Sequence, residues 1–439
     1  MTLKRALMLV APSFLACAAS ETPIVMRPDG GDHVSPDVGV EQLKPDNDDV
    51  GVAPPRPDAA PADAPVVDAP SPAGWWNPMF ARRRRLTIDP RLASSATTLS
   101  DFPIALRIAP NTIDATAAGD GVRIVDGAGT VLPRDVESWD AQGNAIIWVK
   151  LPQLPIADAT PLYIYYGATG TPPAANDRQV VWPKPYAAVW HFAGKPDDSS
   201  ASHFDGATVQ AAFDAGKLGQ AAKFNAATKD HISLARGISL ISGAEAVTES
   251  AWVKTGTISP GGFGAILALG TADKSGDLGR TQLYIWGSTA TYSFSSRSLK
   301  NALYGEINPE EVPGGWDYVA SPVDAIRPGE WRYVTVVFDA KGKSTSVYVD
   351  GALVGGPLET PGHGDGAARP GNWTHTTFPT TPSDRVVIGA LEDISHGYFD
   401  GLIDELRVET TARSAAWIAA QAIAVTGDAI TLGPEEHTP

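Results

Sequence analysis

Apolar and polar residues alternate in short runs along most of this chain. In FPIALRIAP the residues Ile104, Leu106 and Ile108 fall on one face, and EWRYVTVVFD (330–339) and STSVYVDGALVG (344–355) repeat the pattern. A period of two over five to ten residues, broken by Gly, Pro, Asn and Asp, predicts strands joined by turns. In the last run Asp350-Gly351 stands between two apolar segments, the signature of a two-residue hairpin with both turn residues at positive φ. The stretch RVVIGALEDISHGYFDGLIDELRVE (385–409) reads as two short strands joined by a Gly-containing turn. Strict alternation places Leu402, Asp404, Leu406 and Val408 on one face and Asp404 and Glu405 on opposite faces. A carboxylate among three aliphatics is costly unless something pairs with it, so Asp404 calls for a partner.

Read in order, the alternating runs fall into two blocks. Residues 75–170 hold six or so strands, a small β-sandwich pattern; residues 185–425 hold a dozen or so, a jelly-roll pattern, and 426–439 is left as a tail. The fold class is therefore all-β. The 43 Gly and 37 Pro in 439 residues agree with a turn-rich chain.

The first seventy-four residues are different. Lys4 and Arg5 precede an apolar run from Ala6 to Ala16, the make-up of a signal peptide over 1–19 and too short to span a bilayer. Cys17, the one cysteine, follows it directly and resembles the lipidated cysteine of a lipobox. Residues 20–74 form a Pro/Ala/Asp-rich stalk; Glu21 to Gly74 carries eleven acidic and three basic residues and no aromatic before the tryptophans that follow. Such a composition cannot bury enough surface to offset chain entropy. The expectation is an exported protein of the cell envelope or outer surface, held to a membrane through its lipid anchor only, if Cys17 is modified, and secreted if a plain signal is cleaved near Ala19. No later stretch reads as a transmembrane helix, and a net charge of −16 argues against nucleic acid.

The first block resembles a domain-of-unknown-function family of secreted and envelope proteins. The matching residues are Asp101-Phe102-Pro103, GVRIVD (121–126), LPRDVESWD (132–140), IIWVKLP (146–152) and LYIYYG (162–167). That resemblance implies fold and context and no activity. Asp135, Glu137 and Asp140 surround a strand in a turn-rich region and are read as solvated carboxylates rather than a catalytic pair. Arg82 to Arg85 are read as a solvated strand lead-in that offsets the acidic stalk rather than a grip for an acidic glycan or lipid headgroup.

The second block is similar to the laminin-G-like, concanavalin A-like jelly-roll family. VWHF, DSS…DG, GKLGQAAKF, ESAWVK, VYVDGALV, VIGA and FDGLIDELRV occur in that family's order, and TARSAAWIAAQ matches its closing helix. The resemblance implies a calcium ion shared by Asp198 and Asp404, which would be the partner Asp404 needs; the alternative is that Asp404 caps backbone amides or pairs with an Arg or Lys of a neighbouring strand. Two long insertions, 296–322 with Tyr304, Trp316 and Tyr318 and 355–384 with His363, Trp373 and His375, carry aromatics that either stack on sugar rings or pin their own loops as small satellite cores. His363, His375 and Asp365 form a weak zinc pattern.

The same fold hosts glycosidases, but no Glu-x-Asp-x-x-Glu, Gly-x-Ser-x-Gly or His-Glu-x-x-His occurs, and no catalytic residue is assigned. The expected partner is a glycan or an envelope protein. A hydrolase reading would draw on Asp317, Glu310 or Glu311.

Overall fold

The computed structural model describes residues 74–93, 97–114, 121–155, 161–172, 178–235, 238–258, 262–270, 280–287, 300–308, 317–358, 376–378, 380 and 385–438. Cys17, the signal peptide, nearly all of the stalk, and Trp316, Trp373, His375, His363, Asp365, Glu310 and Glu311 lie outside the described residues. Among the described residues no helix is long and apolar enough to cross a membrane.

The first module contains β1 (Phe80–Ile88), a single helical turn α1 (Pro90–Ala93), β2 (Leu99–Ile108), β3 (Arg123–Val125), β4 (Arg134–Trp139), β5 (Ala145–Leu154) and β6 (Leu162–Ala168). The alternation of Phe102, Ile104, Leu106 and Ile108 is realised in β2, all four being buried in one core with Ile147, Trp148 and Leu151 of β5. β2 and β4 flank β5 in one antiparallel sheet. The second sheet has the order β22–β1–β6–β3, where β22 (Ile430–His437) is the last strand of the chain. The segment expected as a tail thus returns to complete the first module, with Leu86 opposite Leu432 and Arg83 opposite Glu436. It also supplies counter-charges to the arginine run: Arg83 Nε donates to Glu436 at 2.7 Å and Arg84 lies 3.6 Å from Glu435. Arg82 lies 3.4 Å from Asp114.

The second module runs through β7 (Tyr186–Trp190), β8 (Thr208–Gln210), β9 (Ala212–Ala215), β10 (Gln220–Phe224), β11 (His231–Ser233), β12 (Ala246–Thr255), β13 (Phe263–Gly270), β14 (Arg280–Trp286), β15 (Leu303–Asn308), β16 (Asp317–Ala320), β17 (Trp331–Asp339), β18 (Ser344–Val349), β19 (Ala352–Leu358), β20 (Arg385–Ile388) and β21 (Gly401–Glu409), then helix α2 (Ala415–Ala424). An eight-stranded sheet follows the path β19–β18–β17–β12–β21–β10–β9, with β7 also on β21; a seven-stranded sheet has the order β16–β15–β14–β13–β20–β11–β8. Their inner faces enclose one core, including Val247, Val253, Ile266, Leu283, Val334, Ile388 and Ile403. The 350–351 turn has φ of 50° at Asp350 and 83° at Gly351, as the hairpin pattern requires.

Two expectations for residues 385–409 are corrected. β20 and β21 belong to different sheets and cross the sandwich instead of forming a hairpin. The alternation along β21 is also interrupted. Ser250 opposes Arg407 and Trp252 opposes Asp404, so β21 has one residue more than β12 across this interval. The extra residue is Glu405, at φ 51°. A bulge of this kind shifts the side-chain phase by one. Ile403, Leu406 and Val408 enter the sandwich core, while Asp404, Glu405 and Arg407 face the other way. Asp404 therefore does not share a face with Leu406 and Val408, and Asp404 and Glu405 are not on opposite faces.

That outer face of the eight-stranded sheet is where the first module packs. Trp252, Tyr333, Val189, Leu218 and Trp417 of α2 join the core of the first module, and Trp417 meets Phe102 edge-on at 4.9 Å. Ser414 caps α2, its Oγ accepting from Trp417 N at 3.2 Å. One sheet of the jelly roll is thus covered on both faces, and the seven-stranded sheet keeps an outer face that the first module does not cover.

Candidate functional site

The outer face of the seven-stranded sheet is built from side chains that alternate with the core-facing Leu283, Ile285, Leu303, Ile307 and Val319. Register sets them in rows. Ala265, Tyr284, Tyr304 and Ala320 stand side by side across β13 to β16, and Ala268, Gln282, Glu306 and Tyr318 form the next row. Phe263 opposes Trp286 at the end of β13 and β14. The alanines leave room above the sheet, and the rings fill it. Tyr284 and Tyr304 lie 4.9 Å apart between centroids, and Tyr304 stacks on Tyr318 at 4.8 Å with planes 19° apart. Phe263 touches both Tyr284 (4.9 Å) and Trp286 (5.4 Å). Tyr284 and Tyr304 are buried, while Phe263, Trp286 and Tyr318 are half-buried.

Polar groups stand among these rings. The Tyr284 hydroxyl donates to Glu306, and Gln282 Nε2 donates to the buried Glu392 at 2.9 Å. Arg385, on the adjoining strand β20, donates to the Glu392 carbonyl at 3.4 Å. Gln282 and Glu392 are buried with the Tyr284–Tyr304 pair, so the part-exposed Phe263, Trp286, Tyr318 and Glu306 are the groups that could meet a flat ligand with an apolar side and a hydroxyl rim. Tyr318, expected to bind ligand, stands on this face, and Asp317 opens β16 opposite Ile307.

The two residues expected to share a calcium ion are both fully buried, with separate partners. Asp198 organises its own turn: Oδ1 accepts from Val189 N (2.9 Å) and Ser200 N (2.8 Å), and Oδ2 from Ser200 Oγ (2.8 Å) and Phe204 N (2.9 Å). Four donors fill the four acceptor sites of a carboxylate, so a cation would have to displace one of them. Asp404 Oδ2 accepts from Leu218 N at 2.9 Å, in the turn between β9 and β10. The partner that β21 calls for is a backbone amide.

The expectation of solvated carboxylates in 135–140 is corrected for two of the three. Asp140 caps an exposed turn, accepting from Gln142 N and Asn144 N at 2.9 Å each. The side chains of Asp135 and Glu137 are buried at the junction of the modules, facing His191 just beyond β7 and Glu405 and Arg407 of β21. His191 Nδ1 lies 2.9 Å from Glu405 Oε1 and 3.9 Å from Glu137 Oε2, and its Nε2 lies 3.3 Å from Asp135 Oδ2. Trp148 Nε1 donates to Glu137 and Trp182 Nε1 to Asp135, each at 2.9 Å. Arg407 donates to Glu405 at 2.9 Å, its guanidinium 4.5 Å from the Trp148 ring centre.

Burial dominates the electrostatics here. It pushes Glu137 well above the usual carboxylate range, with Glu405 adding to the rise, and does the same to Asp404. Burial acts the same way on Glu405 and Asp135 but is outweighed: His191 and Arg407 hold Glu405 low, and His191 and Trp182 hold Asp135 low. Burial opposes charge on His191, yet Glu405 and Asp135 raise it well above the ordinary histidine value. Sequence reasoning missed this cluster. The i, i+2 spacing of Asp135 and Glu137 put them on one face, but nothing local pointed to residues of the other module.

Two family models match the chain. Residues 226–419 match the concanavalin A-like lectin/glucanases superfamily, and residues 118–217 match a domain of unknown function. No curated protein matches. Among solved structures, the botulinum neurotoxin serotype G binding domain aligns at 11% identity and a TM-score of 0.37, covering 54% of this chain and 50% of that one. Domain 4 of AbnA, a GH43 extracellular arabinanase from Geobacillus stearothermophilus in complex with arabinotriose, aligns at 19% identity and 0.36, covering 54% and 98%. The Ruminococcus gnavus IT-sialidase CBM40 bound to alpha2,3 sialyllactose aligns at 17% and 0.30, covering 41% and 84%. The chain thus carries one segment similar to that domain of unknown function and, after it, one similar to the concanavalin A-like lectin/glucanases superfamily.

Proposed function

We propose that this protein is an exported surface protein, lipid-anchored through Cys17, whose jelly roll binds carbohydrate on the outer face of its seven-stranded sheet. The observation that carries the reading is the ring set of Phe263, Trp286 and Tyr318 around the Tyr284–Tyr304 pair, with Gln282, Glu306 and Glu392 beside it. Stacked rings bind the apolar faces of sugars, and fixed carboxylates and amides take their hydroxyls. The superfamily match supports the same reading. The first module occupies the opposite sheet and serves as the mount.

The test is a glycan and polysaccharide panel screened with the protein, followed by titration of any ligand found. Trp286→Ala and Tyr318→Ala are expected to weaken binding about tenfold each, the equivalent of ~1.4 kcal/mol. Absence of binding across the panel, or binding indifferent to both changes, would overturn the proposal. The same fold class hosts hydrolases, so reducing ends are measured in the same samples. Sustained release that is lost in Glu306→Gln would replace binding by catalysis. Partition into detergent that is lost in Cys17→Ala tests the anchor.

A further inference from the structure

We propose that Glu137, His191 and Glu405 form a buried site for one divalent transition-metal ion of the zinc class, assembled from both modules. Glu137 comes from β4 of the first module, and His191 and Glu405 come from the jelly roll. Their ligand atoms all lie within 4.8 Å of one another. Two donors on one zinc ion, each at about 2.0–2.1 Å, stand roughly 3–4 Å apart. The 2.9 Å from His191 Nδ1 to Glu405 Oε1 and the 3.9 Å to Glu137 Oε2 span that interval.

The groups behind these three are those that orient metal ligands. A ligating imidazole usually gives its second nitrogen to a carboxylate, which fixes its tautomer. His191 Nε2 has Asp135 at 3.3 Å, and Asp135 is itself fixed by Trp182 Nε1. Trp148 holds Glu137 and Arg407 holds Glu405, each through the oxygen Oε2.

One further observation points to a missing cation. The Glu137 side chain is fully buried, yet its Oε1 has no hydrogen-bond partner. Such atoms are rare because each forfeits its hydration without replacement. The imidazole ligand selects the zinc class over calcium, which takes oxygen ligands.

The ion would staple the modules together, because its ligand set is complete only when they are docked. The experiment uses the full chain, unfolded in guanidinium with a chelator and refolded with or without zinc chloride. Metal content is measured by mass spectrometry and stability by thermal unfolding. About one zinc per chain and a higher Tm in the zinc-refolded sample are expected, since an ion that binds the folded state stabilises it. Glu137→Gln should lose the zinc while keeping the Tm of the metal-free parent, which separates a lost ligand from a lost fold. Zinc below about a tenth of an equivalent with an unchanged Tm overturns the site. Full zinc retention in Glu137→Gln overturns it as well.

Discussion

Thr281 and Glu249 meet across the interior of the jelly roll, where the Thr281 hydroxyl donates to Glu249 Oε1 at 2.7 Å. They stand on facing sheets, on β14 and β12, and Glu249 is fully buried between Val247 and Ala251. Burial pushes this carboxyl up to about 8 from an ordinary 4.5. Below the unfolded value both states are protonated and the contribution to stability is complete. As pH rises from 4.5 through 8 the unfolded chain ionises first, and stability falls by roughly 1.4 kcal/mol per unit, a few kcal/mol in all. Glu249→Gln keeps the shape and removes the titration. Urea midpoints of parent and variant are expected to diverge between about pH 5 and pH 8, the variant becoming the more stable. Parallel profiles would refute this account.

Arg407 is fully buried between Trp148 and Trp182 and paired with Glu405. Its removal leaves a buried carboxylate with one counter-charge fewer. Arg407→Ala is expected to cost about 3–5 kcal/mol in equilibrium denaturation. A loss under 1 kcal/mol, as at a surface pair, would show that the junction is open to water.

The returning strand β22 closes the first module. Deletion of residues 428–439 removes Ile430 from the core and Glu435 and Glu436 from the arginine run. Burial of one such isoleucine contributes about 1.5–3 kcal/mol. The truncated protein is expected to unfold at a lower temperature, with near-ultraviolet changes from the tryptophans of the first module. An unchanged Tm would mean that the strand is dispensable.

Calcium is a separate matter from the proposed zinc-class ion. Asp198 holds four donors and Asp404 holds an amide of the 216–219 turn. Melting in calcium and in magnesium is therefore expected to coincide. A Tm raised by calcium and restored to baseline in Asp198→Asn would return the ion to these residues.

Period-two patterning and turn chemistry carried most of the fold within the sequence. The hairpin at Asp350-Gly351 and the core face of β2 were legible because each follows from neighbours a few residues apart, while the closing helix was implied by the resemblance to the jelly-roll family. The face of Asp404 was not legible. It depends on one extra residue at Glu405, and a bulge is decided by the strand alongside. The fate of Asp135 and Glu137 was hidden for the same reason: whether a carboxylate is solvated depends on what packs over it, and here that is a histidine of another module. The aromatic face was half visible. Tyr318 stood out with Trp316 on one insertion, but the rows that join it to Tyr304 and Tyr284 exist only through strand register. Alternation alone determined which residues could face a core; pairing between distant strands decided which core, which neighbour and which charge each of them met.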